Sequence, residues 1–78
     1  MYYTERLMLA REKRGLSQKE LSALIGIKQQ QYARYEKGIN IMPITYLYKI
    51  CLVLNISADY ILCLTDELIS YNKKHVNN

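Results

Sequence analysis

Tryptophan and phenylalanine are missing from this 78-residue chain, which leaves eight tyrosines as its only aromatic residues. Histidine occurs once, at His75 in a polar tail, and is expected to be solvated there. Cysteine occurs twice, at Cys51 and Cys63, with no CxxC pair and no histidine nearby. Buried, reduced thiols are therefore expected, with no metal or redox cofactor. The carboxylates are scattered and mostly explained as helix caps, so no general base, nucleophile or metal cluster marks an enzyme. No apolar run is longer than the five residues of 50–54 or 60–64, and charges already stand at Glu5 and Arg6. Such runs suit a core and not a bilayer, so no membrane or export segment is expected, and the chain reads as cytoplasmic. Strand signals, internal repeats and long linkers are also lacking. What remains is an all-α reading of one small domain, and its 50% apolar content argues against disorder. A core of this size supplies only about 3 to 5 kcal/mol, which makes association a natural further source of stability.

The formal charge is +4. Residues 1–38 hold eight Lys/Arg against four Asp/Glu, whereas residues 39–78 hold three of each, so the whole excess sits in the first half. A polyanion is the expected partner of such a face. That half contains the stretch SQKELSALIGIKQQQYARYEKG, residues 17–38. Ser17 followed three residues later by Glu20 is a capping box that starts a helix over residues 17–25, and Gly26 is suited to the left-handed turn that stops it. A second helix is expected over residues 29–36, closed by Gly38. Tyr32, Tyr35 and Glu36 share one side of it, while Gln29, Gln30, Ala33, Arg34 and Lys37 share the other, an outer face rich in amides and cations.

An earlier helix is expected over residues 3–14, with Tyr3, Leu7 and Ala10 on one face, Thr4 as its cap and Gly15 as its stop. Met8 and Leu9 lie off that stripe, and Ser22 is small enough for a close helix crossing. After a loop at residues 37–44, the lone Pro43 fits the first turn of a helix running to residue 54, with Leu47, Ile50, Cys51 and Leu54 inward. Ser57 caps a short helix through residue 63, with Ile56, Tyr60, Ile61 and Leu62 inward. Thr65, Asp66 and Glu67 form a further capping pattern, for a sixth helical turn over residues 66–71, and residues 72–78 are expected to fray. The division is thus residues 1–64 as the domain and residues 65–78 as a C-terminal helical extension. Leu52, Val53, Leu64, Leu68 and Ile69 are apolar positions beyond the inward stripes, and a homodimer would cover them. The alternative is that residues 65–71 fold back on their own domain.

The stretches RLMLAREKRGLSQKELSALIG, IKQQQYARYEKG and, after Pro43, LYKICLVLNISADYIL together resemble the phage repressor and Cro type of helix-turn-helix domain, the XRE family. The resemblance spans residues 6 to about 64. It implies a five-helix, lambda-repressor-like domain whose third helix enters the major groove of double-stranded DNA, with the second helix across the backbone. The residue chemistry agrees. A glutamine amide matches adenine N6 and N7, and an arginine fork matches guanine O6 and N7, so Gln29, Gln30 and Arg34 are the base-reading candidates. Lys28 and Gln31 follow at the edges of that face. Gln18, at the start of the second helix, and Lys37 and Asn40, after the third, are candidates for phosphate contacts. The resemblance also places Arg11 against Glu36 as a structural ion pair.

Two departures stand out. The loop before the fourth helix carries Ile39, Ile41, Met42 and Ile44 where the family often has Lys or Arg, which weakens the case for DNA contacts from it and suggests packing against a partner. Lys28 occupies the position where the family prefers a Ser or Thr cap. The expected function is a sequence-specific, dimeric transcription regulator, a repressor on a palindromic operator, with no small-molecule ligand. The alternative is a protein-interaction module on the same fold, such as an anti-repressor or antitoxin.

Overall fold

Local hydrogen-bonding chemistry decides where each helix begins and ends. In the computed structural model, which describes residues 2–68, α1 spans Tyr3–Lys13, α2 Gln18–Ile25, α3 Gln29–Glu36, α4 Ile44–Leu54 and α5 Ala58–Ile61. No strand occurs among the described residues. Ser17 Oγ accepts the Glu20 N–H at 3.0 Å while Glu20 Oε1 accepts the Ser17 N–H at 2.8 Å, so two orphan donors at the start of α2 are satisfied reciprocally. Those bonds also hold the Glu20 carboxyl below its ordinary range. Gly26 then adopts φ +81°, and the Ile27 N–H returns to Ser22 O at 3.0 Å. A side chain at that left-handed position would be strained, and the tight reversal swings α3 across α2.

Three helix boundaries differ from the sequence expectation. The cap of α1 is Tyr2 and not Thr4, because Glu5 Oε1 accepts the Tyr2 N–H at 3.0 Å and so starts the helix earlier. Pro43 precedes α4 in extended conformation (ψ 145°), where its carbonyl takes the Tyr46 N–H at 3.0 Å; it is not in the first turn. Helix α5 stops at Ile61, short of residue 63, and Cys63 turns left-handed at φ +65°. That early stop leaves Leu62 exposed instead of inward.

The core joins Leu7 and Ala10 of α1, Leu21 and Ile25 of α2, Tyr32 of α3, Ile50 and Leu54 of α4, and Ile56, Tyr60 and Ile61 at α5. Ser22 is buried with them, its hydroxyl turned back to Lys19 O at 2.9 Å. Arg14 spans from α1 to the end of α4, donating to Leu54 O at 2.6 Å and Asn55 O at 3.1 Å, where it satisfies carbonyls the helix leaves unpaired. The thiol of Cys51 is half-buried, and its burial raises its pKa.

No helical turn forms over residues 66–68, contrary to the reading of Thr65 as a helix cap. Thr65 Oγ1 closes a local turn on the Glu67 N–H at 3.2 Å. The segment runs back along the domain: Ser57 N–H donates to Leu68 O at 3.0 Å, and the Leu68 side chain packs on the core. Arg6 fastens it. The Arg6 guanidinium is buried 4.3 Å over the Tyr60 ring and donates to Tyr60 O at 3.0 Å, Thr65 O at 2.8 Å and Asp66 Oδ1 at 2.6 Å. The expected positions 69–71 of the extension, and Ile69 and His75 with them, lie outside the described residues.

Candidate nucleic-acid interface

The reversal at Gly26 leaves one side of α3 on the core and the other in solvent. Tyr32 and Tyr35 face inward, while Gln29, Gln30, Arg34 and Lys37 are exposed and Ala33 is half-buried between them. Gln30, Ala33, Arg34, Lys37 and Ile39 line an open cleft of about 420 Å³ on this face. Lys28 occupies the cap position of α3 without a side-chain capping bond, so the helix entry carries a free-ended cation and uncapped N–H groups.

The acid of α3 does not reach that face. Glu36 points inward, and its two oxygens accept four hydrogen bonds: Arg11 Nε at 2.7 Å and Tyr32 OH at 2.5 Å on Oε2, Gln18 Nε2 at 3.0 Å and Arg11 Nη2 at 3.2 Å on Oε1. Burial pushes the Glu36 carboxyl up, but the hydrogen bonds from Arg11, Tyr32 and Gln18, with the Arg11 charge, outweigh it and hold the group below its ordinary range. The bond to Glu36 raises Arg11 in turn, against its own desolvation. Burial, reinforced by the bond to the Glu36 carboxylate, drives the Tyr32 phenol far above its usual pKa, so its hydroxyl stays a donor. Arg11 also donates to Leu16 O at 2.8 Å. One carboxylate thereby ties α1, the start of α2 and the end of α3 into a single geometry, and the outward side of α3 is left without an acid.

The residues singled out from the sequence fall into separate groups. Gln29, Gln30, Arg34 and Lys28 are exposed together along α3 and its entry, with Lys37 and Asn40 exposed beyond its end. Gln31 is half-buried and donates to Tyr35 OH at 2.9 Å, and the Tyr35 ring packs on Tyr46 with centroids 6.1 Å apart. Its amide N–H is thus engaged within the domain and not presented with the other glutamines. Gln18 is also half-buried, with its amide on Glu36. Leu52, Val53 and Leu64 are exposed, whereas Leu68 is packed on its own core and so leaves the set of apolar residues open to a partner.

Two residues on this side were not recognised from the sequence. The Tyr32 ring is buried in the core, but its hydroxyl completes the Glu36 network; the i, i+4 spacing of Tyr32 and Glu36 is the sequence signal for that bond. Ile39 belongs in sequence to an apolar loop, yet it forms one wall of the cleft on α3. Among the described residues no group of three or more His, Cys, Asp or Glu is placed to hold a metal ion, and no helix is long and apolar enough to cross a membrane.

Residues 7–61 match a family model described as helix-turn-helix. No curated protein and no solved structure matches the chain.

Proposed function

Because the chain belongs to the Cro and repressor type of helix-turn-helix proteins, the XRE family of DNA-binding transcription regulators, we propose that it is a homodimeric, cytoplasmic repressor that reads an imperfectly palindromic operator with α3 in the major groove. The observation that carries this reading is the division of α3 by Glu36. The helix's only acid is fully occupied on the inner side, so Gln29, Gln30 and Arg34 meet the duplex with no opposing charge. In that pose glutamine pairs with adenine and arginine with guanine, and Lys28, Lys37 and Asn40 lie at the rim for phosphates. Gln18 shares its amide with Glu36 and has a second N–H for a phosphate oxygen.

Selection of bound duplexes from a random pool, followed by titration at several salt concentrations, tests the reading. Gln29→Ala or Gln30→Ala should cost about 1 to 3 kcal/mol on the selected site and flatten discrimination at one base pair. Lys37→Ala should weaken binding on every sequence and reduce the slope of log K against log salt by about one. Equal, sequence-independent losses in both variants would refute the division of roles.

A protein-interaction module is the second reading, and one observation favours it. Tyr2, Tyr3, Ile41, Met42, Leu47 and Leu62 line a largely apolar pocket of about 290 Å³, with Ile41 and Ile44 among the exposed side chains of the adjoining loop. Absence of any salt-dependent duplex binding would favour that module over the repressor.

A further inference from the structure

The cleft on the outer face of α3 is not uniformly polar. Gln30, Arg34 and Lys37 form its polar wall, but Ala33 and Ile39 complete it, and Ile39 is a large aliphatic side chain left 61% exposed. It does not dangle from a loose loop. Gly38 turns left-handed at φ +77°, and the Ile39 and Asn40 N–H groups both return to Arg34 O, at 2.9 and 3.3 Å. This closure fixes the Ile39 backbone to the last turn of the helix that carries Gln30 and Arg34. An aliphatic group is thus held beside two potential base readers, on a wall whose charges suit a polyanion. In the major groove the base edges offer amides, carbonyls and ring nitrogens, and a single apolar feature, the C5-methyl of a pyrimidine.

We propose that Ile39, with Ala33 beside it, is a specificity-determining residue that seats the C5-methyl group of a pyrimidine, either thymine or 5-methylcytosine, next to the base pairs met by Gln30 and Arg34. The assignment rests on the DNA-reading function proposed above. The expected effect is modest and local. Burying one methyl group is worth ~0.8 kcal/mol, which at 1.4 kcal/mol per tenfold corresponds to about fourfold in affinity for each methyl seated.

The test uses the full chain and the duplex selected from a random pool. Each thymine is replaced singly by deoxyuridine, which removes only the methyl, and each cytosine singly by 5-methylcytosine, which adds one. Wild type should lose about fourfold at a uracil position within a half-site, which identifies thymine, or gain about fourfold at a methylated cytosine within a half-site, which identifies that base. Ile39→Ala should be indifferent to the same change, with an unchanged melting temperature. Indifference of wild type to methyl groups at every position overturns the assignment and leaves the DNA-reading function intact, as does a methyl effect that persists in Ile39→Ala. A chain that binds no duplex refutes both.

Discussion

Glu36→Ala is the substitution that tests most directly what fixes the recognition helix. The Glu36 and Arg11 side chains are only 5% and 11% exposed, and removing the carboxylate leaves the guanidinium buried with Leu16 O as its remaining acceptor. It also strands the Tyr32 hydroxyl and frees the Gln18 amide. Breaking a buried ion pair by deleting one partner costs about 3 to 5 kcal/mol, and the retained bond to Leu16 O argues for the lower figure. A chain of this length has total stability of roughly 4 to 12 kcal/mol, so a loss of about 3 is a large share. For a domain of this size it lowers the melting temperature by about 12 to 24 °C, readable by far-ultraviolet circular dichroism. The pair itself need not be stabilising, since desolvation of both charges offsets much of their attraction. The double variant Arg11→Met with Glu36→Leu should therefore recover most of the lost stability. It should not recover duplex binding, because nothing then sets the angle of α3 or holds Gln18. A Glu36→Ala chain melting within about 4 °C of wild type, or a double variant no more stable than the single one, would refute this reasoning.

The same carboxylate makes stability depend on pH. Its folded-state pKa lies below the ordinary value of 4.5, so on acidification the unfolded chain takes up the proton first; the contribution is complete above about 4.5 and is lost as pH falls through the lower folded value. Urea midpoints measured from neutral pH downward should fall across that window, and less steeply in Glu36→Gln, in which Glu20 still titrates. Arg6 and Asp66 should prove unequal partners: Asp66 is 97% exposed, so Asp66→Asn should cost no more than about 1 kcal/mol, whereas Arg6→Ala strips donors from Tyr60 O and Thr65 O and should cost about 2 to 3 kcal/mol by chemical denaturation.

The parts of the fold governed by contacts within a few residues were legible before the structure. The limits of α2 and α3 follow from Ser17, Glu20, Gly26 and Gly38, because each acts on backbone groups at most four or five positions away. At the C-terminal segment a non-local bond overrides a local signal. Thr65, Asp66 and Glu67 carry the chemistry of a helix cap, but Arg6 takes the Thr65 carbonyl and the Asp66 carboxylate, and Ser57 takes the Leu68 carbonyl. Arg6 itself was invisible as a core residue because its acceptors are mostly main-chain carbonyls some 54 and 59 positions away, which no side-chain pattern advertises. At the candidate interface the periodicity of α3 separated inner from outer positions, but three consecutive glutamines look alike in sequence. Only the placement of the Tyr35 hydroxyl distinguishes Gln31 from Gln29 and Gln30.

The return of residues 65–68 onto the domain changes how the proposed homodimer must be tested. Truncation after Leu64 would remove Leu68 from the core and Thr65 O and Asp66 from Arg6, so it would lower stability whether or not the segment touches a second copy. The apolar surface left open lies elsewhere. Tyr48 and Leu52, four residues apart on one side of α4, are 65% and 62% exposed, and with Cys51 and Ile56 they line a groove of about 340 Å³ running to the start of α5. Pairing through this face around a two-fold axis would bury that groove against its own copy and present two α3 helices to successive major grooves about 34 Å apart. Leu52→Glu perturbs the face selectively. In a monomer, an exposed substitution of this kind changes stability by less than about 0.5 kcal/mol. In a dimer it sets a charge of like sign on each side of an apolar contact, where desolvating it is costly. Sedimentation at micromolar concentration should therefore find wild type dimeric and Leu52→Glu monomeric, with equal helicity, and the preference of wild type for a two-half-site duplex over a single half-site of matched length should be lost in the variant. Wild type that remains monomeric both free and on DNA would refute the dimer, and a Leu52→Glu chain that still dimerises would move the interface off this face.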